Sequence, residues 1–216
     1  MGNYNKNTFS FDAESNGLWG EIFAIGAVIR QNGRPLNSFF ARCKIKGKID
    51  PWVKENIISY LGGMMEYQSY KKILQSFSCF YNYYHQHADI VVHMGYIVEA
   101  KLLRDMHDFG FIGDQDGPYP LHDVATALQM AGEDSTSVDS YAKKYNINLP
   151  SGSPHNPLYD ADVTARVWER LHGNLDVSKC RCGGVGATYQ YFTSYATYPL
   201  PYDRRLVSVC PKCGAT

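Results

Sequence analysis

The chain has 216 residues, with 21 Lys or Arg and 21 Asp or Glu, so its formal net charge is zero. Because domains commonly span roughly 100 to 200 residues, we expect one main domain with a small additional module. The neutral charge excludes a basic field over the whole surface, so any nucleic acid must be bound locally. The sequence shows neither a signal peptide nor an apolar stretch long enough to cross a membrane. We therefore expect a cytoplasmic protein with no membrane partner.

The first predicted element is a strand with two acids at its end. Residues 8–14 alternate polar and apolar side chains, which places Phe9 and Phe11 on one face and Asp12 and Glu14 on the other. Two carboxylates about 7 Å apart on one strand face repel each other, and such a pair commonly holds a cation between its members. The pair therefore predicts a divalent metal site.

The following elements predict an α/β fold with a mixed sheet. Residues 21–30 form a β-rich apolar run, Asn32-Gly33 is a strong hairpin signal, and residues 35–42 return as a third strand. A short buried strand is expected at residues 90–93 and a strand end at Leu121. Helical spacing covers residues 51–61, 69–87, 98–108, 124–130, 138–145 and 157–171. Three strands followed by alternating helices and strands are typical of the α/β class.

The start of the last predicted helix carries a further acid. Asn156 can cap this helix and Pro157 suits its first position, so Asp160 lies one turn in. One interpretation is that Asp160 simply favours the positive end of the helix dipole. The other is that Asp160 shares a cleft with the first two acids and with His155, which lies in the preceding loop.

Several of these segments together resemble the DEDDh family of 3′-5′ exonucleases, the ribonuclease H-like group that includes polymerase proofreading subunits. Residues 11–18, Phe-Asp-Ala-Glu-Ser-Asn-Gly-Leu, are similar to the first motif of that family, and His155-x4-Asp160 is similar to the third. Residues 121–126 and 137–147 also resemble the family, so the likeness extends from residue 8 to about residue 171. The order and spacing of the motifs carry the resemblance.

The second motif departs from the family pattern, which has a His-Asn-x-x-Phe-Asp run at a strand-to-helix junction. Here the sequence from His93 to Glu99 reads His-Met-Gly-Tyr-Ile-Val-Glu. Aligned on the helix that follows, Glu99 takes the position of the usual aspartate, with one residue inserted after His93. The alternative is that Glu99 is an exposed acid at a helix start, which would leave the site one ligand short.

The resemblance implies a ribonuclease H-like domain with a mixed five-stranded sheet flanked by helices. The C-cap signal at Gly173-Asn174, just before the first cysteine pair, places this domain at residues 1–174. The resemblance also implies two Mg²⁺ or Mn²⁺ ions. Asp12 would bridge both ions, Glu14 and Asp160 would bind one, and Glu99 would support the other through water.

His155 would take the proton of the attacking water, a role that suits a side chain with a pKa near neutrality. By the same resemblance, Ser15 would bond the 3′-hydroxyl and Leu18 would wedge under the last base. Both residues also make sense as ordinary turn and packing residues.

The end of the chain predicts a small β-rich zinc-binding module over residues 175–216. Two close cysteine pairs on Gly-assisted turns form a four-cysteine pattern that favours one structural Zn²⁺, with Cys180, Cys182, Cys210 and Cys213 as ligands. Aromatic residues between the pairs would cover this metal core, or would bind nucleic acid or a second subunit. A homodimer is one possible assembly.

These features favour a metal-dependent 3′-5′ exonuclease that hydrolyses phosphodiester bonds at the 3′ ends of single-stranded or overhanging nucleic acid. DNA is favoured slightly over RNA as the substrate. One alternative is an exoribonuclease with the same mechanism. The other is a nucleic-acid-binding protein on the same fold that is catalytically weakened by the altered second motif.

Overall fold

The computed structural model describes residues 7–173. The strands are β1 (Asn7–Ser15), β2 (Ile22–Gln31), β3 (Arg34–Cys43), β4 (Met65–Tyr67), β5 (Ala88–Val92) and β6 (Leu121–Asp123). The α-helices are α1 (Pro51–Asn56), α2 (Tyr70–Tyr84), α3 (Val98–Asp108), α4 (Val124–Met130), α5 (Val138–Lys144) and α6 (Pro157–Gly173). Short 3₁₀ helices follow α1 (Ile58–Tyr60) and α2 (His85–His87). None of the helices within 7–173 is long and apolar enough to span a membrane.

The strands form one mixed sheet in the order β4-β3-β2-β1-β5-β6. The pairs β1–β2 and β2–β3 are antiparallel, whereas β1–β5, β5–β6 and β3–β4 are parallel. The expected α/β fold with a mixed sheet is therefore confirmed. The sheet has six strands rather than five, because β4 pairs along the edge of β3 and its three residues are too few to show an alternating pattern.

The two faces of β1 are buried against different layers, as its alternation predicts. Phe9 and Phe11 are essentially fully buried in the main core, where their rings contact Phe77 of α2. On the opposite face, Ala161 and Ala165 of α6 pack with Val28 of β2. These small side chains allow α6 to lie close to the sheet.

A buried ion pair joins α6 to the sheet. The guanidinium of Arg30 in β2 donates to Asp162 at 2.6 Å and to the carbonyl of Gly33 at 2.6 Å, and Arg166 donates to the other oxygen of Asp162 at 2.9 Å. Removing one partner of such a pair leaves a buried charge uncompensated, at a typical cost of about 3–5 kcal/mol. This ion pair therefore anchors the first two turns of α6.

The predicted zinc ligands Cys180, Cys182, Cys210 and Cys213 lie outside the described residues. The zinc module and the boundary between residues 174 and 175 therefore stay predictions.

Candidate active site

Three acids meet at one end of β1. One carboxylate oxygen from each of Asp12, Glu14 and Asp160 lies within 4.8 Å of the others. Asp12 and Glu14 come from the polar face of β1, and Asp160 comes from the first turn of α6. The second interpretation of Asp160 thus agrees with the structure, since this side chain joins the first pair. We refer to Asp12, Glu14 and Asp160 as the acid cluster.

The backbone of α6 reaches the acid cluster because β2 has a glycine opposite Asp12. Gly26 is the register partner of Asp12. A Cβ atom at this position would lie 2.2 Å from the backbone nitrogen of Leu158 and 2.2 Å from the carbonyl carbon of Pro157. Only glycine leaves room for this approach. Sequence analysis missed Gly26, although an isolated glycine inside an apolar strand is a known sign of close backbone contact.

The start of α6 is formed as its sequence predicts. The side-chain oxygen of Asn156 accepts hydrogen bonds from the backbone N–H groups of Leu158 and Tyr159, at 3.1 and 3.2 Å. This cap satisfies backbone donors that would otherwise have no partner in the first turn. The first turn, which carries Asp160, is therefore well defined.

Glu99 is buried beside the acid cluster, with 5% of its surface exposed. Its Oε1 accepts a hydrogen bond from the backbone N–H of Ala13, between the two acids of β1, at 3.0 Å. The alternative of an exposed acid at a helix start is therefore wrong. Glu99 is nevertheless not one of the three residues whose oxygens lie within 4.8 Å of one another. Its role as a ligand through water stays a prediction.

The loop before α3 is held by an acid at the end of β6. One oxygen of Asp123 accepts from the backbone N–H of Gly95 at 3.0 Å, while the other caps α4 by accepting from Ala125 and Thr126. Burial, and to a smaller extent the charge of Asp123, raises the pKa of Glu99. Asp123 thus fixes the loop from which Glu99 enters the site.

Without a cation, the four acids hold protons unusually tightly. Burial, followed by the charge of Glu99, raises the pKa of Asp12 well above its usual range. Burial and the neighbouring acids raise the pKa of Glu14 to about 10 and that of Asp160 to about 8, and burial raises the pKa of Glu99 to about 7. A divalent cation would remove the repulsion, and hard carboxylate oxygens are the ligands that Mg²⁺ and Mn²⁺ prefer. The residues therefore fit a divalent metal.

These shifts predict that metal stabilises the fold more at high pH than at low pH. Glu99 and Asp160 have ordinary values of 4.5 and 3.8, so each binds its proton more tightly when folded. Their contribution to stability is complete below those ordinary values and is lost as the pH rises through about 7 and about 8. The unfolding temperature of the metal-free protein should consequently fall between about pH 5 and about pH 9.

Mn²⁺ should reverse this fall, because metal binding favours the deprotonated ligands. The measurement is thermal unfolding across this pH range with EDTA and with Mn²⁺. A stabilisation by Mn²⁺ that is equal at both ends of the range would contradict the prediction.

His155 lies at the rim of the acid cluster. Its backbone has a positive φ of 65°, and its backbone N–H donates to Asp160 Oδ2 at 2.9 Å. The imidazole is exposed and contacts the indole of Trp52 edge to face, with ring centroids 5.4 Å apart. Sequence analysis missed Trp52, because nothing in the local pattern of α1 indicates which tertiary neighbour this side chain meets.

The segment that carries Trp52 is hydrogen-bonded to the loop after β1 and to the loop before α6. The side chain of Asn16, two residues after Glu14, donates to the carbonyl of Lys48 at 3.0 Å and accepts from the backbone N–H of Asp50 at 2.8 Å. At the other end, the side chain of Asn156 donates to the carbonyl of Tyr60 at 3.1 Å. The segment around α1 therefore bridges the first and third motifs.

The two predicted substrate residues lie at the end of β1 and in the turn that follows it. The Ser15 hydroxyl is buried and donates to the carbonyl of Gly17 at 2.9 Å, which is a turn contact. Leu18 is 60% exposed and leaves an apolar side chain open to solvent. Their contacts with a nucleotide stay predictions.

The comparison with solved structures finds similar chains at low sequence identity. Pop2p of S. pombe, solved in a Mg²⁺- and Mn²⁺-bound form, is 13% identical and has a TM-score of 0.54, covering 83% of this chain and 86% of Pop2p. Exonuclease X, solved in complex with 5′-overhanging duplex DNA, is 18% identical and has a TM-score of 0.48, covering 77% of this chain and 91% of Exonuclease X. No family model and no curated protein matches the sequence. The likeness to Pop2p confirms the expected ribonuclease H-like fold.

Proposed function

We propose that this protein is a metal-dependent 3′-5′ exonuclease that acts on single-stranded or overhanging nucleic acid. The observation that carries the proposal is the acid cluster, in which Asp12, Glu14 and Asp160 bring carboxylate oxygens within 4.8 Å of one another. The buried Glu99 accepts a hydrogen bond from the backbone N–H of Ala13, which lies between Asp12 and Glu14 in the sequence. Pop2p, a known structure of the same architecture that was solved with Mg²⁺ and Mn²⁺ bound, is consistent with the proposal.

The residues divide the chemistry between them. Asp12, Glu14 and Asp160 would hold two Mg²⁺ or Mn²⁺ ions, with Glu99 behind them. When bound, such ions neutralise charge on the phosphate and on the leaving 3′ oxygen. His155, fixed by its backbone bond to Asp160, would accept the proton of the attacking water. Ser15 and Leu18 would contact the terminal nucleotide.

Labelled oligonucleotides test the direction and the metal requirement. With Mg²⁺ or Mn²⁺, a 5′-labelled single strand should shorten in single-nucleotide steps, whereas a 3′-labelled strand should release its label in the first step. EDTA should stop both reactions. Release of mononucleotides from the 5′ end, or cleavage that continues in EDTA, would contradict the proposal.

The substrate sugar is tested by running DNA and RNA of the same sequence in parallel. We favour DNA slightly, and exoribonuclease activity is the second candidate with the same mechanism. The third is a binding protein with weakened catalysis. The replacement of the usual aspartate by Glu99 favours this binding-protein candidate, because one carboxylate oxygen of Glu99 already accepts a hydrogen bond from the backbone of Ala13. If the protein binds both the DNA and the RNA but cleaves neither of them with Mg²⁺ or Mn²⁺, the third candidate is selected.

The contribution of Glu99 can be separated from its packing. Glu99→Gln keeps an oxygen that can accept from Ala13 N–H but removes the charge, so the fold should persist while the cleavage rate falls about 10- to 100-fold. Asp108→Asn is the matched control, because Asp108 lies on the same helix and is largely exposed. The measurement is single-turnover cleavage at saturating Mn²⁺. Equal rates for the two variants would remove Glu99 from the site.

We also propose one structural Zn²⁺ on Cys180, Cys182, Cys210 and Cys213. The purified protein should contain about one zinc per chain, and Cys210→Ser should lower that content. The homodimer and the cytoplasmic location stay predictions.

A further inference from the structure

Four exposed lysines lie between the end of β3 and the end of α1. They are Lys44, Lys46, Lys48 and Lys54, and we call them the basic strip. Building on the proposed function, we propose that the basic strip binds the phosphates of a single-stranded nucleic acid whose 3′ end lies at the acid cluster, and that Trp52 stacks on one of its bases. The proposal concerns where the strand lies, and it does not depend on the sugar.

The lysines of the strip carry unneutralised charge. Within residues 7–173, no carboxylate forms an ion pair with any of them, whereas Arg42, Lys101, Arg104 and Lys144 each have a carboxylate partner. The nearby carboxylate of Asp50 accepts the backbone N–H groups of Trp52 and Val53 and thereby caps α1. The strip thus places ammonium groups, which have no ion-pair partner among the described residues, in a segment that Asn16 joins to the end of β1.

The backbone of this segment directs the lysines outward. Ile45 and Ile49 are partly buried and pack against the main core, whereas the lysines on either side of them are exposed. These lysines are Lys44, Lys46 and Lys48. The segment therefore presents a row of exposed ammonium groups, and two isoleucines hold its backbone against the core.

The row leads directly to the candidate active site. Asn16 lies two residues after Glu14, and its side chain forms hydrogen bonds with the backbone carbonyl of Lys48 and the backbone N–H of Asp50. Trp52, which is 53% exposed, contacts the ring of His155. A strand bound along the lysines would consequently reach the acid cluster past an exposed indole.

The chemistry of the row matches single-stranded nucleic acid. Proteins that bind such strands combine a positively charged path for the backbone with aromatic side chains on which bases stack. The acids of the site repel phosphates, so nearby cations are needed to hold a polyanion there. The basic strip and Trp52 supply both components.

Salt-dependent binding tests the strip without requiring turnover. The affinity of a 5′-fluorescent single strand is measured by anisotropy in EDTA across a range of salt concentrations. For single strands, the slope of log K against log salt is about −0.7 for each phosphate contacted. Replacing Lys44, Lys46 and Lys48 together by Ala should therefore make the slope less negative by about 2 and weaken binding at low salt at least about tenfold.

A control with the same change in net charge is available on other elements. Lys71, Lys72 and Lys143 are also exposed, so their triple Ala variant should keep the slope of the wild type. At the neighbouring indole, Trp52→Leu should weaken binding about tenfold with the slope unchanged, and Trp52→Phe should retain most of the wild-type affinity.

The outcomes separate this inference from the proposed function. Equal slopes for the two triple variants, or no binding of a single strand by the wild type at low salt, would overturn the inference even if the wild type cleaves. A slope change confined to the strip variant supports the inference even if the wild type shows no cleavage, in which case the proposed exonuclease activity alone fails.

Discussion

Asp12→Asn is expected to lower the rate of phosphodiester cleavage by about 10³-fold or more, without unfolding the chain. The substitution keeps the shape of the side chain and removes one negative charge from the acid cluster. Because burial and the charge of Glu99 raise the pKa of Asp12 well above its usual range, the ionised acid is costly in the metal-free protein. The unfolding temperature in EDTA should therefore stay the same or rise.

Two measurements check this expectation. Single-turnover cleavage in Mn²⁺ gives the rate, and thermal unfolding with and without Mn²⁺ gives the metal response, which should shrink in Asp12→Asn. Asp108→Asn again serves as the control, since it removes an exposed acid away from the cluster. Cleavage by Asp12→Asn at the wild-type rate would show that the acid cluster does not catalyse the reaction.

Gly26→Ala is expected to move Asp160 away from Asp12 and Glu14, although none of these three acids is itself changed. The new methyl group would lie 2.2 Å from the backbone of Pro157 and Leu158, and backbone atoms cannot rotate away as a flexible side chain can. The start of α6 must move, and Asp160 moves with it. We expect cleavage to fall about 100-fold or more, because small displacements of catalytic groups have effects of this size. The free energy of unfolding should fall by about 1–3 kcal/mol.

Gly62→Ala is the matched control for this substitution. Gly62 has open space where a Cβ would be placed and does not have a positive φ. The variant Gly62→Ala should cleave at the wild-type rate, and its free energy of unfolding should be equal to that of the wild type or slightly higher. Titration with Mn²⁺, followed by thermal unfolding, would show whether Gly26→Ala has lost the metal site as well as the activity. Wild-type cleavage by Gly26→Ala would contradict the close approach of α6 as a requirement for the site.

Local patterns predicted the elements that carry the site. The alternation around Phe9 and Phe11 determines which face of β1 enters the core, and thereby places Asp12 and Glu14 on the other face. The cap at Asn156 likewise depends only on its immediate neighbours. These features are set by interactions within a few residues, which a single sequence displays.

Tertiary contacts account for what local patterns did not show. The need for Gly26 arises from a helix more than 100 residues later in the chain. The burial of Glu99 depends on the backbone N–H of Ala13, and the position of Trp52 depends on His155. In each case the partner is remote in sequence, so the residue's own surroundings in the sequence carry no sign of it. The strand β4 was missed for a different reason, since its three residues are too few to establish a period.

The acids of the site enter the chain in an order that matters during synthesis. A ribosome makes β1 with Asp12 and Glu14 first, then Glu99, and Asp160 arrives only with the last helix of the domain. A nascent chain that has already paired β1, β2 and β5 therefore has an incomplete acid cluster. Chains released before Pro157 would lack the third acid altogether. The proposed nuclease would thus gain its complete acid cluster only after α6 has been made and has docked on the sheet.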